Sequence, residues 1–276
     1  MSRTAAWPGR LVLLGHPVGH SRSPAFQNAA LEAAGIPLRY TALDVAPAEL
    51  GQVLADLRAV RGAGNVTIPH KRAVYEACEV RLPRAEQAGA VNTFWHDEEG
   101  RLYGDNTDVA GFEAAVDSLG TTRPGAVVAL LGAGGAAAGV CAAVATWAGA
   151  TVGIFARSPE RANELRQRFP HTRPASSAAA ALSGASLVVN ATPVGMTDDA
   201  HPVEVAWLPR DAHVMDLVYR DGETSWVRAA RARGLRAIDG RAMLLSQGAE
   251  AFRCWFGRDP DLEVMRTALG HSTRSE

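Results

Sequence analysis

Leu131-Gly132-Ala133-Gly134-Gly135-Ala136-Ala137 is the stretch that decides the fold of this chain. A Val/Leu-rich run, Ala126 to Leu131, leads into it; an alanine-rich run to Trp147 follows, and Thr151 to Phe155 is apolar and β-branched again. Strand, glycine turn, helix and strand in that order make a βαβ unit whose turn reads GxGxxA. Gly132 permits the tight turn, Gly134 lets the backbone approach a pyrophosphate, and the small Ala137 lets the helix lie close on the strand, while the helix N-terminus presents unpaired N–H groups to negative charge. Gly132, Ala133, Gly134, Gly135, Ala136 and Ala137 are therefore candidate dinucleotide contacts. No charged residue occurs from Pro124 to Ala156, a length that would satisfy a transmembrane helix, and Gly135 with Gly139 forms a GxxxG pair. The interior glycines divide the stretch into pieces too short to span a bilayer, so a membrane is not expected as a partner.

Downstream, the second strand ends in Ala156-Arg157-Ser158-Pro159-Glu160-Arg161. An acidic residue here would grip a ribose 2′-hydroxyl, whereas arginine accepts a 2′-phosphate bidentately. Arg157 and Arg161, with Ser158 as cap of the following helix, point to NADP over NAD. The alternative is two solvated surface charges, since 27 of the 276 residues are arginine. A helix from Pro159 to Arg168 and strands at Ala185 to Asn190, His213 to Leu217 and Leu235 to Ile238 complete the pattern of a doubly wound parallel sheet.

Upstream, strands and helices also alternate. Leu11 to Leu14, Arg39 to Leu43 and Gly64 to Ile68 read as strands; helices are expected from Ser23-Pro24 to Gly35, with Ser23 as N-cap, from Pro47 to Val60, and from Pro69. Thr107-Asp108 opens a helix to about Leu119, and the domain crossing is expected near it. Ala242 to Phe256 is apolar at helical spacing, with Gly257 just past its end.

Composition narrows the function classes. A formal net charge of -1 gives no basic excess for nucleic acid, so small-molecule partners are expected. Cys78, Cys141 and Cys254 lie far apart and form no CxxC pair, which argues against a zinc site or disulfide framework and fits a reducing cytoplasm. Met-Ser-Arg-Thr-Ala-Ala-Trp-Pro at the N-terminus lacks the basic and long apolar segments of a secretory signal. His16 and His20 are four apart, but Pro17 and Gly19 between them forbid the helix that would align them on a metal, and no metal site is expected.

Lys71 is the chain's single lysine, in Asn65-Val66-Thr67-Ile68-Pro69-His70-Lys71. An ammonium can release a proton near neutral pH when its surroundings help; a guanidinium effectively cannot. Lys71 stands in the first turn of its helix, and Asp108, at another helix start, is an acid that could face it. Such a pair could pass a proton to or from a substrate oxygen. Taken separately, Asp108 reads equally as a helix-start carboxylate, and Asn92 and Asn106 as turn residues.

Taken together, SRSP (Ser21 to Pro24), NVTIPHK (Asn65 to Lys71), GAVNT (Gly89 to Thr93), GDNTD (Gly104 to Asp108), GAGGAA (Gly132 to Ala137), NATPVGM (Asn190 to Met196), DLVY (Asp216 to Tyr219) and GxxMLxxQ (Gly240 to Gln247) resemble the shikimate dehydrogenase family over nearly the whole chain. The resemblance implies an α/β architecture: an N-terminal α/β substrate-binding domain, residues 1–107 with 240–276, and a Rossmann-like doubly wound parallel-sheet NADP-binding domain, residues 108–239, with a cleft between them. It implies reversible reduction of 3-dehydroshikimate by NADPH in aromatic amino-acid (chorismate) biosynthesis, by a monomer or homodimer. Lys71 and Asp108 would be the catalytic pair. Ser21 and Ser23 would bind the substrate carboxylate; Thr67, Asn92 and Gln247 would bond its ring hydroxyls, with Tyr219 nearby. Thr192, Leu217 and Gly240 would join the glycine turn, Arg157, Ser158 and Arg161 at the cofactor. Two departures stand out: Ala156 replaces an asparagine common before the clamp arginine, and Arg220-Asp221 replaces the Asn-Pro that often follows DLVY. The rivals are an NAD-using quinate/shikimate dehydrogenase and a non-catalytic shikimate-sensing relative.

Overall fold

The computed structural model of the protein describes residues 7–220 and 222–270; residues 1–6 of the N-terminal segment read above, and Asp221, lie outside them. The chain divides into two compact units, the boundaries falling after Gly111 and after Met243.

The first unit carries a mixed six-stranded sheet in the order β2-β1-β3-β5-β6-β4. Its strands are β1 (Leu11–Gly15), β2 (Tyr40–Asp44), β3 (Ala63–Val66), β4 (Val80–Arg81), β5 (Thr93–His96) and β6 (Leu102–Asp105). Helices α1 (Ser23–Ala33), α2 (Leu50–Ala59), α3 (Lys71–Ala77) and α4 (Pro83–Ala88) connect them, and α5 (Thr107–Leu119) follows β6. The strand expected at Arg39 to Leu43 is displaced by one residue, and the helix expected from Pro47 to Val60 is a 3-10 turn, Pro47–Glu49, running into α2. Ser23 is not an N-cap: α1 begins at Ser23 itself, Arg22 occupies the cap position without a side-chain bond, and the Ser23 N–H instead donates to Ser21 Oγ at 3.3 Å. The strands β4, β5 and β6, two, four and four residues long, are too brief to show an apolar alternation of their own, and they appear only with the sheet.

β3 and β5 run antiparallel, as do β5 and β6, so the C-terminal ends of β3 and β6 and the start of β5 meet at one edge, with Asn65, Thr93 and Asp105 in register. The core on one face holds Leu11, Leu13, Phe26, Leu31 and Tyr40 with Phe252, Trp255, Met265 and Leu269. The last four belong to α10 (Arg241–Phe256) and α11 (Leu262–Gly270), so the C-terminal helices pack on the first sheet. Each fully buried side chain of this size contributes about 1.5–3 kcal/mol, which fixes that docking.

The second unit has an all-parallel sheet in the order β12-β11-β10-β7-β8-β9. Its strands are β7 (Val127–Leu131), β8 (Thr151–Phe155), β9 (Thr172–Pro174), β10 (Leu187–Asn190), β11 (His213–Asp216) and β12 (Ala237–Ile238). Helices α6 (Gly135–Val144), α7 (Pro159–Arg168), α8 (Ala178–Leu182) and α9 (Ser225–Ala232) cross between them. Counting from β7, the order is 3-2-1-4-5-6 read in reverse, the doubly wound arrangement whose ligand crevice opens where the strand order reverses, between β7 and β10. No described helix is long and apolar enough to cross a membrane, and no described cluster of His, Cys, Asp or Glu could hold a metal.

Candidate active site

At the shared edge of β3, β5 and β6 the chain leaves β3 and β6, and enters β5, through polar segments that bring together Lys71, Asp108 and Asn92. Lys71 is the first residue of α3 and Asp108 the second of α5. Lys71 Nζ donates to Asp108 Oδ2 at 2.6 Å, with the side chains only 23% and 16% exposed. The other oxygen, Oδ1, accepts from Asn92 Nδ2 at 2.8 Å.

Asn92 is itself held. Its Oδ1 accepts the Thr107 backbone N–H at 2.7 Å, capping α5 from outside the helix. A backbone N–H can only donate, so the oxygen assignment is fixed and the amide nitrogen must face Asp108. Thr107 Oγ1 lies 3.5 Å from Gln247 Oε1, and Gln247 Nε2 donates to Leu244 O at 2.9 Å. Lys71, Asp108, Asn92 and Gln247 are thus joined through direct bonds and Thr107. Ser21, Ser23 and Thr67 occupy neighbouring segments: Thr67 N–H donates to Leu14 O at 2.8 Å and His16 N–H to Ile68 O at 3.0 Å, tying the loop after β1 to the loop after β3. Tyr219 belongs to the other unit, half-buried beyond β11.

Sequence reasoning passed over one ion-pair cluster. Asp105, fully buried at the end of β6, receives the Arg84 guanidinium, which also donates to Glu250 on α10 at 2.8 Å. This clamp fixes the base of the Asp105-to-Asp108 segment. Asp105 stood within the GDNTD motif; Arg84 and Glu250 gave no signal, because their partners are distant in sequence.

In the second unit, the glycine turn sits at the strand-order reversal. Gly132 has φ +110°, and a Cβ there would lie 2.8 Å from Ala191 O in the loop after β10. Ala137 is fully buried. At Gly134 and Gly135 an added Cβ would meet nothing within 4 Å, and α6 starts without a side-chain cap. Open room beside the free N-terminus of a 10-residue helix fits a pyrophosphate. At the end of β8, the described residues offer no carboxylate partner to Arg157 or Arg161, which leaves both guanidinium groups available to a phosphate. Ser158 caps α7, accepting the Arg161 N–H at 3.3 Å while donating to Glu160 at 2.7 Å.

Beyond the glycine turn, Thr192 donates its N–H and hydroxyl to Asn190 Oδ1 at 3.0 and 2.6 Å. Asn190 Nδ2 and Thr224 Oγ1 both donate to Asp216 at 2.8 Å, and the Val218 N–H adds a third bond. This locks the NATPVGM and DLVY segments together. Burial raises the Asp216 pKa, while those three donors pull against it. Gly240 must be glycine for a structural reason: a Cβ would stand 2.3 Å from Leu217 O.

Two family models match the chain, the shikimate dehydrogenase substrate binding domain over residues 13–94 and the shikimate 5′-dehydrogenase C-terminal domain over residues 240–269. Shikimate dehydrogenase (NADP(+)) of Symbiobacterium thermophilum is 44% identical, covering 96% of this chain and 95% of the relative. Its counterpart in Rubrobacter xylanophilus is also 44% identical, covering 93% and 94%. The crystal structure of shikimate 5-dehydrogenase from Thermus thermophilus in complex with NADP(H) and shikimate superposes with a TM-score of 0.85 at 39% identity, covering 94% of this chain and 98% of that one. With relatives this similar along almost its whole length, the chain belongs to the shikimate dehydrogenase family.

Proposed function

We propose that this protein catalyses the reversible reduction of 3-dehydroshikimate to shikimate with NADPH, a step of aromatic amino-acid biosynthesis through chorismate. The observation that carries the reading is the 2.6 Å contact between the chain's one lysine and Asp108, in a chain whose relatives are named for shikimate and NADP. Relatives so named favour this reading over an NAD-using quinate enzyme, and an intact proton-transfer pair favours it over a non-catalytic sensor.

NADPH, when bound, supplies the hydride to the ring carbonyl carbon. Lys71 delivers a proton to the oxygen that becomes the hydroxyl, and leaves as the neutral amine. Asp108, at hydrogen-bond distance, holds the lysine in place, and solvent returns the proton to the amine. Asn92 and Gln247 orient the ring hydroxyls, Thr67 adds a hydroxyl from the neighbouring loop, and Ser21 and Ser23 take the carboxylate; Tyr219 is assigned to the substrate by resemblance alone. Gly132 to Ala137 hold the pyrophosphate and Arg157 with Arg161 the 2′-phosphate. Ser158 caps the helix that carries Arg161, accepting its N–H, and Thr192, Leu217 and Gly240 shape the adjoining wall. Residues 1–107 with 240–276 form the substrate-binding domain and 108–239 the cofactor domain in this reading. Every group named comes from one chain, which a monomer and a homodimer satisfy alike. Three cysteines, all free, suit a reducing cytoplasm.

The test is the appearance of reduced-nicotinamide absorbance with shikimate and NADP, run beside quinate and NAD. Turnover confined to shikimate with NADP is expected; no turnover, or faster turnover with quinate and NAD, overturns the reading.

A further inference from the structure

Behind Asn92 the hydrogen bonds continue inward, and their direction can be read proton by proton. Asn65 Nδ2 donates to the Asn92 carbonyl at 3.1 Å, an acceptor only, so that atom is a nitrogen and Asn65 Oδ1 is the oxygen. Tyr40 OH, fully buried, therefore donates to Asn65 Oδ1 at 2.8 Å. Asn65 Nδ2 also donates to Thr93 Oγ1 at 2.9 Å. Having accepted, Thr93 has one proton to give, to Asn92 Oδ1 at 3.1 Å or to Thr107 Oγ1 at 2.9 Å. Thr107 Oγ1 in turn has Asn92 Oδ1 at 3.2 Å and Gln247 Oε1 at 3.5 Å. All donors from Tyr40 onward point the same way, toward the side-chain oxygens of Asn92 and Gln247. With its oxygen fixed, Asn92 turns its amide N–H to Asp108, while Gln247 Nε2 donates to Leu244 O.

We propose that Thr93, backed by Asn65 and Tyr40, is a positioning residue for the Lys71–Asp108 pair: beside the Thr107 N–H, its buried hydroxyl braces the amide of Asn92, directly or through Thr107 Oγ1, and Asn92 holds the carboxylate that holds the lysine. Thr93 touches neither lysine nor carboxylate and acts only through Asn92 and Thr107. Its location supports this, since Asn65 and Thr93 sit in register on β3 and β5 and cannot drift apart without breaking the ladder. The inference deepens the proposed activity and rests on it only for its kinetic arm.

Thr93→Val keeps the shape and removes the hydroxyl. It is expected to lower kcat about 10-fold with KM changed by less than about threefold, and Thr93→Ser restores kcat. In an Asp108→Asn background the same substitution costs little more, because residues acting in series do not multiply. An independent arm uses the single lysine: acetic anhydride modification of Lys71, read by peptide mass spectrometry, proceeds several-fold faster in Thr93→Val than in wild type. That reading does not require turnover, so it decides the inference even where wild type fails to oxidise shikimate, a result that would sink the activity alone. Should Thr93→Val not fold, Tyr40→Phe, which removes the first donor and keeps the ring, is expected to speed modification of Lys71 by a smaller factor. Unchanged modification, or effects of Thr93→Val and Asp108→Asn that multiply, overturns the assignment.

Discussion

Asp108→Asn is the substitution whose consequence follows most directly from the geometry. Both partners of the carboxylate can only donate toward it: the Lys71 ammonium at 2.6 Å and the Asn92 amide at 2.8 Å. Asparagine at 108 offers one oxygen and one NH₂ group, so one partner must meet a donor. Asn92 cannot turn its oxygen forward to relieve the clash, because the Thr107 N–H holds that oxygen at 2.7 Å. A hydrogen bond to a charged group contributes about 1.5–3 kcal/mol, so losing or weakening two amounts to about 3–6 kcal/mol. If the pair acts in the transition state, that converts to a fall in kcat of about 10²- to 10⁴-fold, the same range that removal of a general acid or base produces. The assay is loss of NADPH absorbance with 3-dehydroshikimate, with kcat and KM separated and folding checked by near-UV circular dichroism. A folded variant with kcat within about threefold of wild type would refute the reasoning, and a rise in KM alone would make Asp108 a binding group without a part in proton transfer.

Further substitutions test the remaining parts. Lys71→Ala is expected to lower turnover by roughly 10²- to 10⁴-fold with modest loss of binding, and near-normal turnover of Lys71→Arg would mean charge stabilisation in place of proton transfer. Arg157→Asp should erode the preference for NADP over NAD, measured as the ratio of kcat/KM values; an unchanged ratio removes Arg157 from the clamp. Arg84→Met leaves Asp105 buried without its cation and should cost about 3–5 kcal/mol in urea unfolding, whereas a loss below about 1 kcal/mol would mean that the clamp is dispensable. Burial lowers the pKa values of His96, His171 and His213, so the unfolded chain binds more protons than the folded one and stability should fall as pH drops through their ordinary value of about 6.5. His96→Gln, retaining a donor toward Gly62 O, should flatten that dependence; an unaltered pH profile of the urea midpoint assigns it elsewhere. Asp216 works in the opposite sense at lower pH, since its raised pKa favours proton uptake by the fold.

How much of this was legible in the residues depended on range. The βαβ unit around Gly132 was readable because its parts are local: strand, turn and helix lie within about thirty residues, and each imposes its own periodicity. Lys71 stood out by composition, Asp108 by its place at a helix start, and Asn65, Thr93 and Thr107 by belonging to quoted motifs, though their roles were not assigned. Ser23 illustrates the limit of local rules, since the same Ser-Pro pair allows the helix to begin one residue earlier than a cap would place it, and only the bond from Ser23 N–H to Ser21 Oγ decides between them. β5 and β6 were invisible because each is only four residues long, and a strand whose stability comes from its neighbours carries little signal of its own. Sequence alone marked out the glycine turn of a βαβ unit, two arginines after its second strand and a lysine of unusual standing. Tertiary structure alone decided that Lys71 meets Asp108, 37 positions away, and that Tyr40, Asn65 and Thr93 stand in line behind them. Those contacts arise from the parallel register of β2, β1 and β3 and the antiparallel register of β3, β5 and β6, set by the packing of a whole sheet rather than by any one segment.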